Sequence, residues 1–128
     1  MILLLDTSTG TCKLSVDNGE YLCTYEWQAD RELAKGLLAF IKDCLADNNA
    51  EMKDISGIGV MAGPGSFTGL RIGLTVANTL AASLGVPIVG YMGEDWEKQA
   101  LRALAAGENQ EIVMPEYGNQ PNITKPRK

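Results

Sequence analysis

The sequence contains no histidine, and its three cysteines, Cys12, Cys23 and Cys44, lie far apart. Without histidine, the chain can form neither a Ser-His-Asp triad, a Cys-His pair nor the HExxH motif of metalloproteases. No CxxC pair is present, so we expect no zinc site and three reduced, mostly buried thiols. Nothing marks a lone serine or cysteine as a nucleophile, and we predict no catalytic residue, metal or cofactor.

The sequence also has no long apolar run, and its longest stretches fall well short of the roughly 20 residues that a membrane span needs. The apolar start, residues 1–5, has no basic region before it and ends at Asp6, which indicates a buried first strand and not a signal peptide. A length of 128 residues with 45% apolar residues, 6% aromatics and 14 glycines is typical of one compact α/β domain. We expect a cytoplasmic protein with no membrane partner.

Positive charge is scarce, with 11 Lys and Arg residues against 16 Asp and Glu residues and a net charge of −5. Three of the cations, Lys125, Arg127 and Lys128, lie in the last ten residues, so removing them from the total leaves −8 on residues 1–118. An acidic body repels phosphate backbones, so we expect its own affinity for nucleic acid to be weak. The basic terminus is either solvated or touches a nucleic acid or an acidic partner.

The pattern of apolar residues predicts five strands and three helices in one domain. A helix following the N-cap candidate Asp30 ends near residues 48–49, and a short strand at 112–114 is expected within the tail. The remaining predicted elements are strands 2–6, 11–17, 21–27, 55–62 and 86–90 and helices 68–84 and 94–106. We predict a five-stranded mixed sheet whose first three strands are antiparallel, with flanking helices.

A glycine-rich segment, residues 63–69, joins the fourth predicted strand to the second helix. Backbone N–H groups at such a helix start can hold an anion, which makes Gly63, Gly65, Ser66 and Thr68 a candidate anion-binding loop. The segment misses the dinucleotide fingerprint by one residue and lacks the lysine of a P-loop. The structural alternative is that its glycines permit close packing while Ser66 or Thr68 caps the helix.

Small residues recur every four positions along the second helix, and this helix is apolar in nearly every direction, with one charged residue, Arg71. Such a helix needs cover on most sides, and small residues allow another backbone to approach closely. We predict a partner interface formed by Leu33, Leu37, Ile41, Gly69, Arg71, Gly73, Ala77 and Ala81. Two copies of the chain could pair through the same residues as a four-helix bundle. The alternative is that the small residues pack on the chain's own sheet.

Three segments resemble the TsaB/YeaZ family: ILLLDTST at 2–9, GPGSFTGLRIG at 63–73 and AxxLGVPIVG at 81–90. The similarity extends over residues 2–106, and residues 115–126 are similar to the C-terminal end of the family. Most members carry a second lobe between these parts, and here we expect it to be missing. Leu33 and Ala39 depart from the usual pattern, since histidine and proline are common at these positions.

The resemblance implies a single actin/hexokinase/Hsp70-like (RNase H-like) lobe over residues 1–107 and an extended C-terminal tail over residues 108–128. It also implies a non-catalytic scaffold that binds and activates a TsaD-like transferase in threonylcarbamoyladenosine (t6A37) modification of tRNA. Docking would use first-lobe helices. Apart from the resemblance, the apolar surface of the second helix predicts that the chain forms a homodimer when this partner is absent. A TsaE-like ATPase is the further partner, and tRNA would be contacted only through the complex.

Two other functions remain open. In actin-like kinases a turn such as Asp6, Thr7 and Ser8 wraps phosphates, so a nucleotide- or phosphate-binding enzyme of that class could use this turn with the glycine-rich segment. That site would be only half complete, because a second phosphate loop and the adenosine pocket come from a second lobe. A protease is the other alternative, as the older "glycoprotease" label of the family implies, although the absence of histidine argues against a metal-dependent one.

Overall fold

A computed structural model of the chain describes residues 1–117; the basic residues Lys125, Arg127 and Lys128 and the family-like segment 123–126 lie outside these described residues. The elements are β1 (Ile2–Asp6), β2 (Thr11–Asp17), β3 (Leu22–Gln28), α1 (Leu33–Asp47), β4 (Gly57–Gly63), α2 (Phe67–Leu84), β5 (Ile88–Met92) and α3 (Trp96–Ala105), with short 3₁₀ turns at Asp30–Glu32 and Met52–Asp54.

The five strands form one mixed sheet in the order β3-β2-β1-β4-β5. The β1–β2 and β2–β3 pairs are antiparallel, whereas β1–β4 and β4–β5 are parallel. Leu4 of β1 lies between Ser15 of β2 and Gly59 of β4, so β1 is a central strand. The predicted mixed sheet is confirmed, and the parallel β1–β4 pair brings the carboxyl ends of these two strands side by side.

Helices cover both faces of the sheet, which explains why β1 is apolar at consecutive positions. Leu3 and Leu5 belong to the larger core cluster, which contains the buried faces of α1 and α2. Leu4 belongs to a second cluster with Trp96 and Ala100 of α3. Among residues 1–117, none of the helices is both long and apolar enough to cross a membrane.

The first helix begins later than predicted, because Asp30 is not its N-cap. Asp30 has a φ of +44° and starts a 3₁₀ turn, and α1 itself begins at Leu33 without a side-chain cap. The Asp30 backbone N–H instead binds the Gly10 carbonyl at 3.1 Å, and its carboxylate accepts a hydrogen bond from Gln28 Nε2 at 3.1 Å. These contacts with Gly10 and Gln28 hold Asp30 in a turn, so it does not cap α1.

The predicted short strand at 112–114 is wrong, because residues 106–117 contain neither helix nor strand. The Val113 backbone pairs with the side-chain amide of Asn78 on α2 and not with a neighbouring strand. Val113 is nevertheless buried, so this part of the chain lies against the lobe.

Candidate functional site

The two segments predicted to touch phosphate meet at the carboxyl ends of β1 and β4. The Ser66 backbone N–H donates to the Ser8 carbonyl oxygen at 2.8 Å, and Gly65 lies directly against Ser8. The turn at residues 6–8 and the loop at residues 63–68 therefore form one continuous surface feature. This is the juxtaposition expected of a ligand site in an open α/β sheet.

The polar groups of the turn are hydrogen-bonded within the lobe itself. Ser8 donates from its backbone N–H and from its hydroxyl to Asp6 Oδ1, at 2.8 and 2.6 Å. Thr7, only 1% exposed, donates from Oγ1 to the Gly69 carbonyl at 2.8 Å. A phosphate would have to compete with these bonds, and the Asp6 carboxylate would oppose its charge.

The polar groups at the start of α2 likewise contact other residues of the lobe. Ser66, not Thr68, caps the helix, and its Oγ accepts a hydrogen bond from the Gly69 N–H at 3.2 Å. Arg71 is the single Lys or Arg in residues 54–97, and its guanidinium lies over the Phe67 ring at 5.4 Å from the centroid. The arrangement favours the capping interpretation of this loop over anion binding.

The buried thiols of Cys12 and Cys44 lack the low pKa of a nucleophile. Burial, followed by the charges of Asp6 and Cys44, raises the pKa of the Cys12 thiol to about 12. Burial also raises the pKa of Cys44 to about 11, with further contributions from Asp43 and Asp47. These thiols therefore stay protonated at neutral pH. Residues 1–117 contain no cluster of three or more Cys, Asp and Glu side chains able to hold a metal ion.

The residues predicted to form a partner interface lie mostly inside the lobe. Seven of the eight are buried, namely Leu33, Leu37, Ile41, Gly69, Gly73, Ala77 and Ala81, and only Arg71 is exposed. The small residues of α2 pack inward, and a Cβ on Gly73 would collide with the Thr7 side chain. The row of small residues Gly69, Gly73, Ala77 and Ala81, which we call the ridge, is thus covered by the chain's own core, and a partner would meet the surface beside it.

That neighbouring surface is a groove of about 390 Å³ between α1 and α2. We call it the α1–α2 groove, and its lining residues are Ala34, Phe67, Thr68, Arg71, Ile72, Thr75 and Val76. Phe67 is 56% exposed, and Leu38, one turn beyond Ala34 on α1, is 46% exposed. Sequence reasoning missed this groove, although Thr68, Ile72 and Val76 recur every four residues directly beside the ridge.

Just over half of this chain matches a known protein family. The model described as "TsaD: tRNA N6-adenosine threonylcarbamoyltransferase" matches residues 27–92. This stretch runs from the end of β3 to the end of β5 and includes both helices of the groove.

The individual proteins that this chain resembles are TsaB proteins and a tRNA N6-adenosine threonylcarbamoyltransferase. The "tRNA threonylcarbamoyladenosine biosynthesis protein TsaB" of Escherichia coli (strain K12) is 32% identical over 94% of this chain and 56% of its own length. TsaB of Bacillus subtilis (strain 168) is 35% identical over 68% of this chain and 38% of its length. The tRNA N6-adenosine threonylcarbamoyltransferase of Syntrophus aciditrophicus (strain SB) is 40% identical over 48% of this chain and 18% of its own.

Solved structures agree with this sequence similarity. YeaZ from Pseudomonas aeruginosa superposes with a TM-score of 0.69 at 28% identity, covering 81% of this chain and 49% of that protein. A second structure, described as similar to peptidase YEAZ from Pseudomonas aeruginosa, gives a TM-score of 0.68 at 30% identity, covering 71% and 42%. The chain spans about half the length of Escherichia coli TsaB and of Pseudomonas aeruginosa YeaZ. It belongs to the family that the TsaD model describes, and it is a homologue of the TsaB/YeaZ proteins, which take part in t6A modification of tRNA and share the actin-like fold.

Proposed function

We propose that this chain is a non-catalytic scaffold subunit that binds and activates a TsaD-like transferase in t6A modification of tRNA. The observation that carries the proposal is the α1–α2 groove, an accessible apolar surface on a homologue of TsaB. Phe67, which lines the groove, and Leu38, one helical turn from the lining residue Ala34, leave large apolar side chains in water. Contiguous apolar surface of this kind marks sites of protein association.

The shape of the groove suits a helix of the partner. Two helices flank it, and Ile72 and Val76 line its α2 side one turn apart. A helix of the transferase lying between α1 and α2 would complete a bundle with apolar residues at helical spacing. Arg71, the charged residue among those that line the groove, would supply a positive charge and favour an acidic group on the partner.

Two properties of the lobe support a role without catalysis. The hydroxyls of Thr7 and Ser8, which would have to bind phosphate in a kinase-like site, are hydrogen-bonded within the turn and the start of α2. The charge of −8 on residues 1–118 opposes tRNA, so in our account tRNA is held by the transferase. A TsaE-like ATPase would join the same assembly as a further partner.

The experiment is a binding titration with the TsaD-like transferase encoded by the same genome. Leu38→Glu places a charge in the proposed contact, and Leu22→Glu is a matched control because Leu22 is 44% exposed on β3. We expect Leu38→Glu to weaken binding by at least tenfold and Leu22→Glu to leave it within twofold. If both variants bind like the wild type, the interface lies elsewhere.

Two further measurements separate this function from its alternatives. Calorimetry of the isolated chain with ATP and Mg²⁺ should show no micromolar binding and no turnover; either result would favour the kinase-like enzyme. Sedimentation of the isolated chain should reveal a homodimer that Leu38→Glu dissociates, since we propose that the same groove pairs with a second copy when the transferase is absent.

A further inference from the structure

Residues 109–117, which we call the C-terminal strap, contain no strand, and their first two residues bond the outer edge of β5. The Gln110 backbone N–H donates to the Ile88 carbonyl at 2.8 Å, and Asn109 Oδ1 accepts from the Ile88 N–H at 3.1 Å. Gln110 Oε1 accepts from the Gly90 N–H at 3.0 Å. Side-chain amides thus satisfy backbone groups that an edge strand would otherwise expose.

The middle of the strap is anchored on α2. Asn78 Nδ2 donates to the Val113 carbonyl at 3.0 Å, and Asn78 Oδ1 accepts from the Val113 N–H at 2.9 Å. The Val113 side chain is 4% exposed and contacts Gly90, where a Cβ would collide with it. Its neighbours Ile112 and Met114, by contrast, are 65% and 69% exposed. One side chain and one amide pair therefore fix this part of the strap.

The far end of the strap reaches the corner of the α1–α2 groove. The Glu116 N–H donates to the Ala62 carbonyl at 2.7 Å, and Gly63, with φ +134°, leaves the Glu116 carbonyl the space that a Cβ would occupy. Beyond this bond, the Tyr117 ring lies against Phe67 with a centroid distance of 4.5 Å. Tyr117 therefore covers part of an aromatic side chain that lines the groove.

Arg71 connects the two surfaces. It lines the α1–α2 groove and also a second cavity of about 250 Å³ between α2 and the strap, where Tyr117 is another lining residue. A partner that covers both Phe67 and Arg71 must therefore displace Tyr117 or pack against it. Residues 109–113 make several hydrogen bonds to β5 and α2, whereas in the described part of the chain residues 114–117 make one, at Glu116. The end of the strap can therefore leave while its middle stays anchored.

We propose that the C-terminal strap is an autoinhibitory contact, in which the Tyr117 ring covers the Phe67 ring until the transferase displaces Tyr117. This inference rests on the proposed function, because it assumes that the transferase binds in the α1–α2 groove. The strap would lower the affinity of the free chain for its partner by the cost of breaking the Tyr117–Phe67 stack and the Glu116–Ala62 hydrogen bond.

The test is the affinity of the full-length chain for the TsaD-like transferase, measured for the wild type, Tyr117→Ala and Tyr117→Phe. Tyr117→Ala removes the stacked ring and should tighten binding about two- to tenfold, the range expected from one aromatic pair. Tyr117→Phe keeps the ring and should bind like the wild type. Hydrogen exchange of the Glu116 amide should also become faster when the transferase is added.

The outcomes separate the strap from the function on which it rests. If the wild type binds and Leu38→Glu abolishes binding, but Tyr117→Ala binds equally well or more weakly, the strap proposal fails and the proposed function stands. Greater protection of the Glu116 amide in the complex would also overturn it, since the strap would then be part of the interface. If neither the wild type nor Tyr117→Ala binds the transferase, both proposals fail.

Discussion

The buried hydroxyl of Thr7 donates a hydrogen bond to the Gly69 carbonyl at 2.8 Å and so ties the end of β1 to the first turn of α2. The two residues are 62 positions apart in the sequence, and each belongs to a segment that sequence patterns associate with phosphate. Here the hydroxyl and the carbonyl satisfy one another inside the lobe. The turn and the glycine-rich loop therefore hold α2, and with it the groove, in place.

Removing the Thr7 hydroxyl tests this structural role. Thr7→Val keeps the shape of the side chain but leaves the buried Gly69 carbonyl without its donor, so we expect the free energy of unfolding to fall by about 1–3 kcal/mol. Thr79→Val is the control, because Thr79 is exposed on α2, the helix that contains Gly69. Urea titration of both variants measures the difference. Equal stabilities would mean that water replaces the hydroxyl at no cost.

The contact between Gly73 and Thr7 can be tested by a double-mutant cycle. A Cβ at position 73 would overlap the Thr7 side chain, so Gly73→Ala should destabilise the fold by about 1–3 kcal/mol. In a Thr7→Ala background the hydroxyl and methyl groups of Thr7 are gone and its Cβ, 2.9 Å from the added Cβ, remains. Gly73→Ala should therefore cost less than in the wild type, helped by alanine's better helix propensity of about 1 kcal/mol. Additive effects of the two changes would refute the close packing that buries the ridge.

The N-cap of α2 distinguishes Ser66 from Thr68. The Ser66 hydroxyl accepts the Gly69 N–H, so Ser66→Ala should lower the free energy of unfolding by about 0.5–2 kcal/mol. Thr68 is exposed and is not the cap, and Thr68→Ala should change stability by less than about 0.5 kcal/mol. Thermal denaturation of the two variants gives the comparison. If Thr68→Ala lost more stability than Ser66→Ala, then Thr68, and not Ser66, would be the N-cap of α2.

Thiol modification tests the burial of the cysteines. Cys12 and Cys44 have pKa values raised by burial to about 12 and 11, so both remain protonated at pH 8 and should react slowly with iodoacetamide. Cys23 is only half-buried and should be the first to react. In urea all three should react alike. Rapid modification of Cys12 in the native chain would contradict its buried position.

The same pKa shifts predict how stability depends on pH. The folded-state pKa values lie above the ordinary value of 9.0, so the unfolded chain loses thiol protons at a lower pH than the folded chain does. The contribution of Cys12 and Cys44 is therefore complete below pH 9 and is lost as the pH rises from 9 towards 12. Urea titrations at pH 8 and pH 10.5 should show the loss, and Cys12→Ala should reduce it. A pH dependence that this substitution leaves unchanged would assign the effect to other groups.

Much of the fold could be predicted because the signals are local. Alternating residues in β2, the turn at residues 17–19 and the apolar run of β1 identify the meander, and Gly85 marks the end of α2. The start of α1 could not be predicted in the same way. Asp30 has the residue type of an N-cap, but the Gly10 carbonyl and Gln28 hold it in a turn, and these contacts exist only after β2 and β3 have paired.

The candidate site was predicted less well, for a related reason. A helix with small residues on one side and apolar residues beside them indicates two packed faces, but it does not say which face meets the chain's own core. That choice depends on Thr7, which fills the space beside Gly73. The pairing of Asn78 with Val113 has no sequence signal either, because an amide side chain here binds a backbone 35 residues away.

The most direct test of our account is the formation of t6A by the purified TsaD-like transferase, supplied with tRNA and its threonylcarbamoyl donor, with and without this chain. We predict that adding the chain raises the rate of product formation, that Leu38→Glu abolishes the increase and that Leu22→Glu retains it. A rate that does not depend on the chain, or one that Leu38→Glu stimulates as fully as the wild type, would contradict the claim that this lobe activates a transferase through the α1–α2 groove.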